Sequence, residues 1–188
     1  ELNFDMKRAI LDARSAGDSV GSELECVVTG VPAGVGGLLF GGMESRIAGM
    51  LYAIPGVKGV EFGRGFALAE MRGSEANDPI RLQNGRITMA SNNAGGLEGG
   101  MTTGMPLVVT AAMKPIPTLM QPLQTVDLDT LEVAQASKER SDVCAVPACA
   151  VVAEGEVAFA IADAYMRKFG SDNMADIKAA IKAYKQRL

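Results

Sequence analysis

The sequence predicts an α/β sandwich, in which helices are layered on an antiparallel or mixed β-sheet. Segments rich in β-branched residues alternate with segments whose apolar residues recur at helical spacing. Asn84-Gly85 is the strongest short-range hairpin signal, and the two short apolar arms around it favour antiparallel pairing. No linker is long enough to divide the 188 residues, so we expect one domain at 1–188.

The elements follow in order along the chain. In the first half we expect an amphipathic helix at 4–15, a strand at 25–31, a glycine-rich loop at 32–42, a helix at 44–54 and a strand at 57–63. In the second half we expect hairpin arms at 80–90, a glycine-rich loop at 92–104, a strand at 107–113, a proline-rich connector at 114–122, a short strand or arm within 126–139, and helices at 146–169 and from 174.

The last two helices carry further signals. Pro147 falls in the first turn of the long helix, and Asn173 is placed to cap the final one. Because apolar residues spread around all sides of the long helix, we expect neighbours to cover most of it.

Composition excludes several classes of function. The net charge of −4 gives no basic footprint for nucleic acid, and no run of 18 apolar residues predicts a membrane span. The chain has no histidine, which excludes a Ser-His-Asp triad, a Cys-His pair and His-ligated zinc within it. The three cysteines are typical of reduced thiols in a cytoplasmic protein.

The glycine-rich loops do not complete a nucleotide motif. A dinucleotide fingerprint that starts at Gly34 would need a third glycine where Leu39 stands. A P-loop that starts at Gly95 would need lysine where Met101 stands. Nucleoside triphosphate binding is therefore not predicted, and tight turns alone explain such loops.

Two short segments could carry chemistry. In the first, Pro115 and Pro117 fix the backbone between Lys114 and Thr118, so Lys114 is either a surface residue or an anion ligand. In the second, Arg140 and Asp142 form either an ion pair at a helix start, or an anion fork beside a proton acceptor. Cys144 and Cys149 are interpreted as packed thiols, because no base accompanies them.

Five segments together resemble successive signatures of the chorismate synthase family. They are TGVPAGVG at 29–36, IPGVKGVEFG at 54–63, SNNAGGLEGG at 91–100, KPIPT at 114–118 and RSDVC at 140–144, which runs into Val146-Pro147. The resemblance covers nearly the whole chain but only the C-terminal half of the family. The N-terminal half, with two catalytic histidines and most phosphate-binding arginines, is expected to be missing, which would account for the Glu1 start and the absence of histidine.

The resemblance implies a β-α-β sandwich and a lyase reaction. Members convert 5-enolpyruvylshikimate 3-phosphate to chorismate, the last step of the shikimate pathway, by 1,4-anti elimination of phosphate. They require reduced FMN without net redox change, NADP is associated with the family, and a homotetramer is usual. We therefore expect a small-molecule substrate and a homo-oligomer, with no nucleic acid or membrane partner.

The family's site residues are carried over by position. The resemblance places FMN contacts at Pro55 and Gly56, at Gly99, and along the run Lys114, Pro115, Ile116, Pro117 and Thr118. It assigns Arg140 to the flavin or the substrate, and Asp142 to a proton relay near the reactive flavin nitrogen. Ser141 departs from the histidine that many members have, and Pro55-Gly56 departs from Asn-Ala.

Two functions stay open at this stage. The first is a chorismate synthase of which this chain is the C-terminal portion, and which is expected to be inactive alone. The second is a non-catalytic ligand-binding or oligomerisation module on the same fold. In that case the glycine-rich loops are turns and the KPIPT segment is a docking edge.

Overall fold

The computed structural model of the chain describes residues 2–139 and 141–188. The helices in these ranges are α1 (Leu2–Ser15), α2 (Met43–Ala53), α3 (Gly73–Ala76), α4 (Val146–Phe169) and α5 (Met174–Lys185). The strands are β1 (Ser22–Val28), β2 (Val57–Phe62), β3 (Ile80–Gln83), β4 (Arg86–Met89), β5 (Leu97–Glu98), β6 (Met101–Thr102), β7 (Leu107–Met113), β8 (Gln124–Val126) and β9 (Val133–Gln135). Two 3₁₀ turns, Leu39–Gly41 and Gly65–Glu70, complete the described elements.

The main sheet has three antiparallel strands in the order β1-β7-β2. Ala111 of β7 lies between Leu24 of β1 and Val60 of β2, so these side chains share one face of the sheet. That face is apolar and carries the helices. The sheet is therefore the antiparallel form of the predicted α/β sandwich, and the fold class is confirmed.

The core lies between this sheet face and the helices α2 and α4. Met43, Ile47 and Leu51 project from α2, and Ala153 and Val157 from α4, with at most 1% of each exposed. Their three- and four-residue spacing places each set on one side of its helix. An ion pair between Arg46 of α2 and Asp163 of α4 joins the two helices at their surface.

The long helix α4 has the predicted bounds, but the prediction that neighbours cover most of it is wrong. Val151, Val152, Phe159 and Met166 are exposed, with Phe159 at 66%. Only β1, α2 and α5 make substantial contacts with α4 within the described residues. The apolar pattern around the helix thus exceeds what this chain covers.

Several elements differ from the prediction, and the predicted loop at 92–104 contains the short antiparallel pair β5–β6. The first strand is Ser22–Val28 and not 25–31, because its pairing begins at Ser22 opposite Met113 and ends at Val28 opposite Leu107. Beyond Val28 the chain turns away at Gly30, whose φ is +82°. The ambiguous stretch is an arm, which we define as residues 124–135, formed by the two-stranded β8–β9 hairpin.

The predicted hairpin and helix cap are both present. β3 and β4 pair around Asn84 and Gly85, whose φ values of +52° and +74° are those of a type I′ turn. The side chain of Asn173 accepts a hydrogen bond of 2.7 Å from the backbone N–H of Ala175. Local sequence rules therefore predict these two features fully.

A buried carboxylate, which the sequence did not single out, organises the glycine-rich loop. Asp78 is 9% exposed and accepts hydrogen bonds from the Ser91 hydroxyl and from the backbone N–H groups of Asn93 and Ala94, at 2.5, 2.7 and 2.9 Å. Partial burial pushes the pKa of Asp78 upward, but the three hydrogen bonds outweigh burial and hold the pKa below its ordinary value. Asp78 therefore fixes this loop as a carboxylate.

We expect Asp78→Asn to destabilise the fold by about 1–3 kcal/mol at neutral pH, because an amide NH₂ would face a backbone donor. A carboxyl whose pKa is lowered by folding contributes stability above its unfolded pKa, near 4, and loses it as the pH falls through the folded value. Urea unfolding between pH 7 and pH 2.5 measures both effects.

The exposed Asp172 offers a matched control in Asp172→Asn. The acid-dependent loss of unfolding free energy should become shallower in Asp78→Asn and stay as in the parent protein in Asp172→Asn. Identical pH profiles for the two variants would contradict the role of Asp78.

Candidate active site

A cavity of 470 Å³ lies beside the chain that follows β7. Three separate segments line it, from the end of α1, from the proline-rich connector and from the chain before α4. The lining residues are Ile10, Arg14, Gly17, Asp18, Thr118, Met120, Ser141, Asp142, Val143 and Cys144.

Two of the predicted site residues, Thr118 and Asp142, meet in this cavity. The hydroxyl of Ser141 donates a hydrogen bond of 2.9 Å to the backbone carbonyl of Thr118, which is 23 residues away in sequence. The backbone N–H of Val20 donates to the carbonyl of Val143 at 2.9 Å. These two bonds hold the segment before α4 against both the connector and the start of β1.

The rest of the connector is tied into the body of the protein. The backbone N–H of Lys114 donates to the carbonyl of Gly56 at 2.9 Å, and the hydroxyl of Ser19 donates to the carbonyl of Ile116 at 2.6 Å. Pro115 and Pro117 lack N–H groups and fix φ, which keeps the connector extended between these ties. The predicted residues Pro55 and Gly56 therefore lie next to the Lys114–Thr118 run, whereas Lys114 itself is exposed and outside the cavity lining.

Gly99 lies elsewhere. It lines a separate hollow with Leu38, Gly42 and Gly100, at the N-terminal end of α2. Pro55 and Gly56 follow the C-terminal end of the same helix, whose 11 residues span about 16 Å. The structure thus brings Thr118 and Asp142 together and places Gly56 beside their segment, but it does not bring Gly99 to that cluster.

Arg140 lies outside the described residues, immediately before Ser141. Two charged residues of the cavity were not predicted from the sequence. They are Arg14, in the last turn of α1, and Asp18, in the turn that follows that helix. Neither belongs to a recognisable motif. The only sequence signal was Gly17, whose φ of +70° marks the turn between α1 and β1 beside which both residues lie.

The cysteines have the environment of packed thiols. Burial raises the pKa of the Cys149 thiol, which is 4% exposed on α4. Burial, together with the charge of Glu154, raises the pKa of Cys26 on β1. A raised pKa leaves less reactive thiolate at neutral pH, so neither cysteine is activated as a nucleophile. Cys144 lines the cavity and is half-buried.

The lining combines complementary chemical groups. The Thr118 hydroxyl can donate or accept a hydrogen bond, the carboxylate of Asp142 can accept a proton, and Arg14 can bind an anion. Ile10, Met120 and Val143 contribute apolar surface. The cavity can therefore hold a small ligand that has both apolar and polar parts.

Two other kinds of site are absent from the part of the chain that the structure describes. Over residues 2–139 and 141–188, no three His, Cys, Asp or Glu side chains are grouped closely enough to bind a metal ion. None of the helices described has the length and apolar character needed to cross a membrane.

Comparisons with known proteins agree on one family. The family model described as chorismate synthase matches residues 1–166. Chorismate synthase 2 of Bacillus cereus is 48% identical over 184 residues, which are 96% of this chain and 47% of that protein. The chorismate synthase of Moorella thermoacetica is 49% identical over 186 residues, which are 97% of this chain and 49% of that protein.

A solved structure gives the same result. A crystal structure titled chorismate synthase superposes with a TM-score of 0.80 at 35% sequence identity, and the match covers 97% of this chain and 48% of that one. The chain thus spans about half the length of the relatives it matches. On the family match, the identity to these relatives and the shared fold, the chain belongs to the chorismate synthase family.

Proposed function

We propose that this chain contributes to the active site of a chorismate synthase, which eliminates phosphate from 5-enolpyruvylshikimate 3-phosphate to form chorismate with reduced FMN as cofactor. The observation that carries the proposal is the meeting of Thr118 and Asp142 in one cavity, from two segments that the family resemblance assigns to the flavin. We also propose that the protein is cytoplasmic and that it acts as a homo-oligomer.

The apolar and hydrogen-bonding residues of the cavity suit the ring of reduced FMN. An isoalloxazine ring has an apolar body with hydrogen-bonding edges, and the cavity offers apolar walls beside the Thr118 hydroxyl and the Arg14 guanidinium. Its volume of 470 Å³ lies in the range of about 300–1,000 Å³ that is usual for small-molecule sites. The chemistry that the flavin supplies when bound is a transient donation of electron density to the substrate while phosphate leaves.

The protein groups then orient the reactants and handle the proton. Thr118 would hold one polar edge of the ring, and its position is fixed by the bond from Ser141 to its carbonyl. Asp142 would accept or hold a proton on its carboxylate in the same cavity. Arg140, which directly precedes Ser141 and Asp142 in the sequence, would bind a carboxylate or phosphate through two N–H groups of its guanidinium.

The charge of the cavity lining indicates that binding these ligands requires cations from outside this chain. Reduced FMN and the substrate together bring several negative charges into one cleft, which requires cationic partners. Among the described lining residues, Arg14 is the only cation, while Asp18 and Asp142 are anions. We propose that the half of the relatives that this chain does not match supplies further cations.

Replacing Thr118 by valine should weaken binding of reduced FMN about 2- to 10-fold, the equivalent of one lost hydrogen bond. Valine keeps the shape of threonine and removes its hydroxyl. Anaerobic fluorescence titration with photoreduced FMN measures the affinity. The exposed Thr125 in the arm gives the matched control, Thr125→Val, and equal weakening in both variants would contradict a role for the Thr118 hydroxyl.

Joining this chain to the upstream half of a relative should tighten binding of reduced FMN at least about tenfold, because added cations would offset the acidic lining. The same titration, made on the chain alone and on the joined protein, measures the change. Equal affinity with and without the added half would contradict the proposed division of the site.

In the joined protein, Arg140→Ala should lower kcat by about 100-fold, as the loss of one charge-stabilising donor does in other active sites. Chorismate formation is followed by absorbance, and circular dichroism checks the fold. Arg64→Ala, at an exposed arginine outside the cavity lining, is the control. Near-normal turnover in Arg140→Ala would remove this arginine from the site.

A further inference from the structure

A single turn contacts both of the segments that carry Thr118 and Asp142. We call it turn 17–21, and it links α1 to β1. None of the five segments that resemble the family's signatures includes this turn. One of its members, Ser19, is only 9% exposed although its side chain is polar. A buried hydroxyl needs a hydrogen-bond partner, and the partner of Ser19 lies in the proline-rich connector.

The connector makes few hydrogen bonds through its own N–H groups. Pro115 and Pro117 have no N–H group to donate. In the part of the chain that the structure describes, no backbone N–H of residues 115–120 donates to another backbone carbonyl. The path of the connector beside the cavity is therefore not set by a ladder of backbone hydrogen bonds, as it is in the strand that precedes it.

Two serine hydroxyls donate to the connector instead. The hydroxyl of Ser19 donates to the carbonyl of Ile116 at 2.6 Å, and the hydroxyl of Ser141 donates to the carbonyl of Thr118 at 2.9 Å. Ser141 belongs to the segment that carries Asp142, whereas Ser19 approaches from turn 17–21. The connector is thus held between the two.

Pro117 links the position of Ile116 to that of Thr118. Its ring fixes φ, and the peptide bonds on both sides of it are planar, so few torsions stay free between the two carbonyl groups. A shift of the Ile116 carbonyl is therefore passed on to Thr118, which lines the cavity.

Turn 17–21 also contacts the segment that carries Asp142. The backbone N–H of Val20 donates to the carbonyl of Val143 at 2.9 Å, and Asp142 directly precedes Val143. Farther along the connector, the backbone N–H of Gln121 donates to the carbonyl of Gly17 at 3.1 Å. One short turn therefore sets the distance between the two sides of the cavity.

Ser19 is itself held in a fixed place. The carboxylate of Asp18 accepts a hydrogen bond of 2.8 Å from the backbone N–H of Ser19. Two residues later, a Cβ atom on Gly21 would overlap the carbonyl oxygen of Met113 and lie 2.9 Å from the nitrogen of Pro115. Glycine at this position lets the turn pack directly on the start of the connector, so the Ser19 hydroxyl meets its acceptor at a fixed position.

We propose that Ser19 is a positioning residue of the candidate active site, whose hydrogen bond to Ile116 places the Thr118 hydroxyl in the cavity that Asp142 also lines. The proposal rests on the proposed function, in which Thr118 holds one edge of reduced FMN. Ser19 is not among the described residues that line the cavity, so it acts through the connector and not by contact with the ligand.

Hydrogen exchange of Ser19→Ala tests the position of the connector without any ligand. With the hydroxyl removed, the connector loses its tie to turn 17–21, and the Gln121 amide should exchange about 5- to 30-fold faster. The Lys114 amide, which is bonded to Gly56 beside β2, should keep its rate. Exchange followed by NMR on this chain measures both amides, and circular dichroism checks the fold.

Ser15→Ala is the matched control. The Ser15 hydroxyl also donates to a backbone carbonyl, that of Leu11 at 2.9 Å, but this bond lies within α1 and is exposed. The same chemical change, four residues away from Ser19, should leave the exchange of the Gln121 and Lys114 amides as in the parent chain.

A comparison of double variants links Ser19 to ligand binding. In the parent chain, Thr118→Val should weaken binding of reduced FMN about 2- to 10-fold. In the Ser19→Ala chain the Thr118 hydroxyl is already displaced, so adding Thr118→Val should weaken binding by less than about twofold. In the Ser15→Ala chain the full effect should persist. A general loss of stability would not cancel the effect of Thr118→Val in this way.

Two results would overturn the proposal. They are an unchanged exchange rate of the Gln121 amide in Ser19→Ala, and a full effect of Thr118→Val in the Ser19→Ala chain. Failure of the proposed function has a different signature. In that case the parent chain does not bind reduced FMN, alone or joined to the upstream half, while Ser19→Ala still speeds exchange at Gln121.

Discussion

The pairing of β7 with strands on both sides is the constraint on which the rest of the structure depends. Its register sets Ala111 between Leu24 and Val60, and so directs one apolar face of the sheet to the helices. The same register determines which segments lie at each end of β7. The glycine-rich loop and the hairpin precede β7, and the proline-braced connector follows it, continuing the ladder with the bond from Lys114 to Gly56.

Local rules predicted the elements whose signals lie within their own residues. The bounds of β7 and α4, the Asn84-Gly85 turn and the Asn173 cap all follow from short-range patterns. The start of β1 does not, because a strand begins where its partner allows pairing and not where β-branched residues begin. The shift from 25–31 to Ser22–Val28 is therefore a tertiary effect, set by Met113 on the neighbouring strand.

The candidate site was predictable to the same degree. The family motifs identified Thr118 and Asp142, and the structure places them in one cavity. Arg14 and Asp18 could not be found in this way, since they reach the cavity only because the Gly17 turn folds α1 back on a connector about 100 residues later. Gly99 shows a different limit of the motifs. A motif singles out this residue, but it does not show that Gly99 lies near the N-terminal end of α2, away from Thr118 and Asp142.

The cavity's own charge balance explains why a flavin site built from this chain would be incomplete. Its described lining carries one guanidinium and two carboxylates, so an anionic ligand that enters it meets more repulsion than attraction at short range. Arg140 would only balance that lining, because one added cation makes two of each sign. Net attraction for a phosphate-bearing cofactor and a phosphorylated substrate then needs cations from outside the described lining. Under the proposed function, Thr118 and Asp142 would position such ligands in a chain of net charge −4, and strong retention would depend on positive charge from the half of the relatives that this chain does not match.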